Sequence, residues 1–206
     1  MSQLILDLET FAHEDAAQFI EEPTAPANYK DEAKIAAYIA DAKAKAIERC
    51  ALDMDLCRIV AIGTSDGVVC MKDEAEEADA LKELGKRLSR VSQIVGYNLF
   101  GFDLPVLVRR AQYLSVDFPG INVDRYRSPH LDLQEFLSFH GKHKYRSLSF
   151  YCKRFGIAVD DDSSGGDIDA LVKAGDWAGV AAHCAADIEK TRQLAQRLGV
   201  LDAVAA

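Results

Sequence analysis

Residues 4–11 read LILDLETF, an apolar run interrupted by two acids, Asp7 and Glu9. A run this short and apolar reads as a strand buried on both faces, and in an extended chain residues i and i+2 point to the same side. The two carboxylates therefore stand side by side in a setting that disfavours their charge: each raises the other's pKa, and burial raises both. A divalent cation between them removes the conflict, because attraction to both sets of oxygens replaces the repulsion. Two expectations follow, a central strand over residues 3–8 and further oxygen ligands arriving from elsewhere in the chain.

The chain has 206 residues, of which 49% are hydrophobic, enough for one well-buried core and short for two, so residues 1–206 read as one domain. No stretch approaches the roughly 20 consecutive apolar residues of a membrane span. The N-terminus has no basic segment leading into an apolar run with a cleavage site, and the five cysteines form no CxxC pair. A cytoplasmic protein with reduced thiols, no membrane partner and no zinc site is expected. The net charge of −9 and pI near 5.0 argue against coating nucleic acid by bulk attraction. Two segments run against that average, DRYR at 124–127 and GKHKYRS at 141–147, both basic and both carrying a tyrosine.

Working outward from the first strand, RIVAIGT (58–64) and GVVCM (67–71) read as strands joined at SDG, a hairpin turn signal. A helix is expected over about 74–90 and a strand at 93–97. Helices follow near 103–114, 131–139, 147–155 and 176–198, with a flexible DDDSSGGD loop at 160–167. This order implies an α/β fold, a mixed central sheet flanked by helices. Residues 12–57 form an insertion after the first strand. Within it, 31–49 reads as a helix, with Ile35, Ile39, Ala42 and Ala46 at helical spacing and Asp31 as its N-cap.

Two acids answer the demand for more ligands. Asp103 lies in VGYNLFGFDLPVL where a strand gives way to a helix, a position that also suits a cap. Asp187 follows His183 by four residues and shares its face of the last helix. Asp132, in HLDLQEFL, is read first as the cap of the helix behind it.

Together these pieces resemble the DEDD superfamily of 3′-5′ exonucleases, whose fold is ribonuclease H-like. Its first motif, Asp-x-Glu on the first strand, matches Asp7 and Glu9. Its second, Asn followed by Phe-Asp, matches Asn98, Phe102 and Asp103 in the form found in family B polymerase proofreading domains. Its third, an Asp on the last helix, matches Asp187. The insertion carrying NYKDEAKIAAYI resembles a stand-alone, phage-type branch of these exonucleases. The third motif departs from the pattern: the superfamily places a Tyr four positions before the final Asp or a His five before it, whereas here His183 occupies the Tyr spacing and Ala182 the His spacing. One helix position rotates a side chain by about 100°.

The resemblance implies phosphodiester hydrolysis with two divalent ions, Mg²⁺ or Mn²⁺, held by Asp7, Glu9, Asp103 and Asp187, and His183 as the base. The implied substrate is the 3′ end of single-stranded or frayed nucleic acid, DNA ahead of RNA. Leu8, Thr10, Phe11, Asn98 and Phe102 are expected to wall a terminal-base pocket, and Lys142, Lys144, Tyr145 and Arg146 to touch the strand. A separate polymerase or replication protein is the implied protein partner, in proofreading. Two other readings stay open: a module that binds a nucleic-acid end or a polymerase without cleaving, and an oligoribonuclease-like enzyme that processes short RNA.

Overall fold

A computed structural model describes residues 2–158 and 167–201. Among them, a mixed sheet of five strands runs in the order β3-β2-β1-β4-β5. The strands are β1 (Gln3–Ala12), β2 (Cys57–Thr64), β3 (Gly67–Cys70), β4 (Gln93–Gly96) and β5 (Leu131–Asp132). β1 is antiparallel to β2 and parallel to β4, and β4 is parallel to β5, so the C-terminal ends of β1, β4 and β5 share one edge of the sheet. The helices are α1 (Glu32–Arg49), α2 (Glu74–Leu88), α3 (Leu104–Tyr113), α4 (Leu133–Leu137), α5 (Leu148–Phe155), α6 (Asp167–Ala174) and α7 (Trp177–Arg197). None of the described helices is long and apolar enough to cross a membrane.

Strand alternation sorts β1 between two layers. Leu4, Leu6 and Leu8 pack with Leu81, Leu84 and Leu88 of α2 and with Leu104 and Leu107 of α3. Ile5 packs on the other side with Ile188, Leu194 and Ala195 of α7. Asp7 and Glu9 share the parity of Ile5, so the acids face α7. The β1–β2 register shifts between Glu9 and Thr10. The shift lets Val60 and Ala61 both face α7, where they meet Val180 and Cys184.

α7 lies close to the sheet because Gly63, paired with Asp7 across the β1–β2 ladder, has no side chain. A Cβ there would sit 2.6 Å from Cys184 Sγ and 2.9 Å from Ile188 Cγ1. On the opposite layer, buried Arg110 of α3 donates to Glu77 of α2 at 2.8 and 2.7 Å, and Glu77 accepts the Ile59 N–H of β2 at 3.0 Å. A charge pair this dry holds when each partner is satisfied, and it ties two helices to the sheet.

The structure lengthens β1 to Ala12 and corrects the expected helix over 131–139. Leu131 and Asp132 instead form β5, paired with Val95 and Gly96, before the short α4. Two residues are too few to display an alternation, and pairing to β4 decides their state. α6 was not anticipated, and the loop expected over 160–167 lies outside the described residues as far as 166. The helix of the insertion is present, with the Asp31 carboxylate accepting the Ala33 and Lys34 N–H groups at 2.9 and 3.3 Å. All of α1 is described and none of its residues is fully buried. Its C-terminal end docks through Ile47 and Cys50 on Ala12 and Ala16.

Gly63→Val should over-pack the β2–α7 contact and cost about 1–3 kcal/mol. Thermal unfolding followed by circular dichroism should show a lower Tm, and a wild-type Tm would show that α7 does not depend on this close approach.

Candidate active site

Three elements deliver the acids: Asp7 and Glu9 from β1, Asp103 from the single π turn Leu99–Asp103, and Asp187 from α7. The turn begins at Asn98, which holds the left-handed backbone conformation with φ 58°. Asp132 fixes it: its carboxylate accepts the N–H groups of Asn98 and Phe100, each at 3.0 Å, while also capping α4 through Gln134 N–H at 2.9 Å. The cap reading of Asp132 therefore describes its position, and the same carboxylate sets the loop that presents Asp103. Asp103 is buried and accepts the Leu8 N–H at 3.0 Å.

His183 joins the acids despite its unusual spacing, with Nε2 3.6 Å from Glu9 Oε1. Ligand atoms of Glu9, His183 and Asp187 lie within 4.8 Å of one another, as do those of Asp7, Glu9 and Cys184. Sequence reasoning missed two neighbours. Buried Lys190 donates to Asp187 Oδ1 at 2.8 Å, and buried Cys184 stands beneath the acids. The signal for Lys190 was its position three residues after Asp187, a neighbouring place on the helix surface.

The electrostatics follow from this crowding. Loss of water, then the charge of Asp187, pushes Asp7 from an ordinary 3.8 up to about 8, with Lys190 pulling it back. Loss of water pushes Glu9 from 4.5 up to about 9, with Asp7, Asp187 and Asp103 adding to it. Asp103 is raised well above 3.8, first by burial and then by Asp7, while its backbone hydrogen bonds oppose the rise. Carboxylate oxygens that suppress each other's charge, gathered from three elements, fit a hard divalent cation. The soft Cys184 sulfur is not a donor such a cation selects.

The remaining expected residues divide. Leu8 is corrected: its side chain belongs to the core on the α2 and α3 side, and its N–H is what it offers the site. Thr10 likewise does not wall a pocket, because its hydroxyl is donated to the Ala51 carbonyl at 2.6 Å. Phe11 packs with Val60, Val68 and Trp177 beneath the Arg58 guanidinium. Phe102 rests partly buried on the α2 and α3 core, and Asn98 marks the turn beside Asp103. Lys142, Lys144, Tyr145 and Arg146 are all exposed. A separate groove of about 960 Å³ between β3 and α2, lined in part by Val69, Leu84 and Arg87, contains none of the acids.

A family model described as "Predicted 3'-5' exonuclease related to the exonuclease domain of PolB" matches residues 52–203. Among solved structures, the family B DNA polymerase from the hyperthermophilic archaeon Pyrobaculum calidifontis aligns with 95% of this chain at a TM-score of 0.57 and 20% identity. The chain spans 24% of that polymerase's length. The likeness is one of fold, and the sheet with its flanking helices is ribonuclease H-like. A search of curated proteins gives no match.

The raised acids fix the sign of a pH effect. Asp7 and Glu9 bind protons more tightly folded than unfolded, so without metal the stability they contribute is full below their ordinary values and is lost as pH rises toward about 8 and 9. Metal-free wild type should therefore melt lower at pH 9 than at pH 6, with a smaller difference in Asp7→Asn, and saturating Mn²⁺ should raise the wild-type Tm at pH 8. Equal pH dependence in the two proteins, measured by scanning calorimetry with and without chelator, would separate these acids from the effect.

Proposed function

The chain belongs to the family of predicted 3′-5′ exonucleases related to the exonuclease domain of PolB, and from that premise we propose that it removes nucleotides from the 3′ end of single-stranded or frayed nucleic acid, DNA ahead of RNA. The observation that carries this reading is that Glu9 shares one cluster with Asp7 and another with Asp187 and His183, whose Nε2 is 3.6 Å away, while Asp103 is near enough to Asp7 and Glu9 for their charges to act on each other. The four carboxylates would hold two divalent ions, Mg²⁺ or Mn²⁺. Bound there, such ions polarise the scissile phosphate and make a nearby water a better nucleophile at neutral pH.

The chain's own groups do the rest. His183 Nε2 accepts the proton of the attacking water as the general base. That nitrogen stands 3.6 Å from Glu9 Oε1, which places the ring beside the acids. Lys190 holds the Asp187 carboxylate and offsets part of the negative charge at the centre. Asp103 locks β1 to the π turn through Leu8 N–H, so ligands from two elements keep one spacing. Asn98, Phe102 and Phe11 border the place of the terminal nucleotide, and Lys142, Lys144, Tyr145 and Arg146 meet the strand behind it. The protein works as a proofreading or processing exonuclease beside a separate polymerase.

Incubating a 5′-labelled single-stranded DNA and its RNA twin with Mg²⁺ or Mn²⁺ tests this. Wild type should give a ladder of single-nucleotide steps from the 3′ end, absent with chelator and absent in Asp7→Ala. His183→Ala should lower kcat by roughly 10²–10⁴-fold; a near wild-type rate in this variant would move the base role elsewhere. No product with any metal would make the chain a binding module for nucleic-acid ends.

A further inference from the structure

The two basic segments singled out in the sequence meet around one buried acid. Glu135 of α4 accepts the Tyr145 hydroxyl at 2.8 Å and pairs with Arg125 Nη1 at 3.4 Å through the same Oε1. His140 Nδ1 stands 4.0 Å from its other oxygen, and the Glu135 carbonyl accepts His140 N–H at 2.7 Å. The intervening loop takes left-handed backbone at Phe139, His140 and Gly141, with φ of 55°, 57° and 76°. Phenylalanine seldom adopts that region, and such strain persists only where its surroundings hold it. Here Ser138 does so, its hydroxyl accepting Gly141 N–H at 3.0 Å and its carbonyl accepting His143 N–H at 2.9 Å.

The result is an ordered surface of opposite character to the rest of the chain. Phe139 and Tyr126 are 64% and 72% exposed, and the Tyr126 ring lies 5.7 Å from that of His140. Residues 124–127 and 141–147 carry five Lys or Arg and one acid, in a protein of net charge −9. A merely solvated loop has no need to bury an acid and hold Phe139 in strained backbone. The surface is tied to the catalytic edge of the sheet, because the Arg146 carbonyl accepts the Tyr97 hydroxyl at 2.5 Å and Tyr97 directly precedes Asn98.

We infer that Glu135 locks these segments into a preformed platform for single-stranded polynucleotide, with bases stacking on Tyr126 and Phe139 and backbone phosphates taken by the surrounding cations. Aromatic faces beside cations bind single strands with little regard to sequence. Resting on the exonuclease reading, this deepens it: the substrate is a strand that reaches from the acids to the platform, not a dinucleotide or a mononucleotide ester.

The test is fluorescence anisotropy in EDTA with 5′-fluorescein oligothymidylate and oligouridylate of about 20 nucleotides, longer than a single stacking surface covers. Arg125→Ala/Tyr126→Ala should weaken binding of one or both about tenfold, and the slope of log K against log salt should fall by roughly 0.7 for one lost phosphate contact. Tyr126→Phe, which keeps the ring, should bind as wild type does. The platform is overturned if the double variant, with wild-type circular dichroism, binds both polymers with wild-type Kd and salt slope. The ladder assay is scored separately: weakened binding without a wild-type ladder keeps the platform and sinks the hydrolysis, and a ladder with unchanged binding does the reverse.

Discussion

Asp7, Glu9, Asp103 and Asp187 share one small, poorly hydrated volume, and the repulsion among them is the constraint on which the surrounding structure depends. Each would ionise below pH 5 in water, yet Asp7 and Glu9 are pushed up to about 8 and 9. Without metal these two acids keep their protons at neutral pH, and a divalent cation would bind by displacing them, so the fold must hold the acids together as they ionise. It does so with rigid elements: a central strand, a π turn and a long helix. Lys190 from the same helix as Asp187 gives partial compensation. Once the acids ionise, one ammonium against four carboxylates leaves the balance negative, in the sense a metal site requires.

The supporting contacts are small groups placed where a larger one would break the approach. Gly63 admits α7 to the sheet opposite Asp7. Asp132 uses one carboxylate both to cap α4 and to hold the backbone of the Asn98 turn, so β5, two residues long, governs where Asp103 comes to rest. Leu8 is instructive because its side chain and its backbone serve different layers. The side chain belongs to the core against α2 and α3, while its N–H binds Asp103. The cationic segments lie apart from the acids along the chain, one in the loop before β5 and one between α4 and α5.

Much of this was legible because strand and helix periods place side chains before any tertiary contact is known. Asp7 and Glu9 two apart had to share a face, and His183 and Asp187 four apart had to share another. The hairpin at SDG, α2 and α7 carried their own turn and amphipathic signals. β5 did not, since two residues contain no period. The short β5 and Gly63 matter through partners distant in sequence, which local pattern cannot register. Thr10 is a similar case, its hydroxyl claimed by Ala51 at the end of the insertion.

Alone, the sequence determined the α/β class and the placing of Asp7 and Glu9 on one face of the first strand, because these rest on side-chain chemistry and on periods of two and 3.6 residues. Only the tertiary structure decided that a histidine one helix position from the usual place still faces Glu9, that Lys190 compensates the acids, and that DRYR and GKHKYRS form one surface around Glu135. Those facts depend on how closely α7 approaches the sheet and how two loops fold onto one carboxylate. Both are set by packing between residues far apart in the chain, where distance through space has no counterpart in spacing along the sequence.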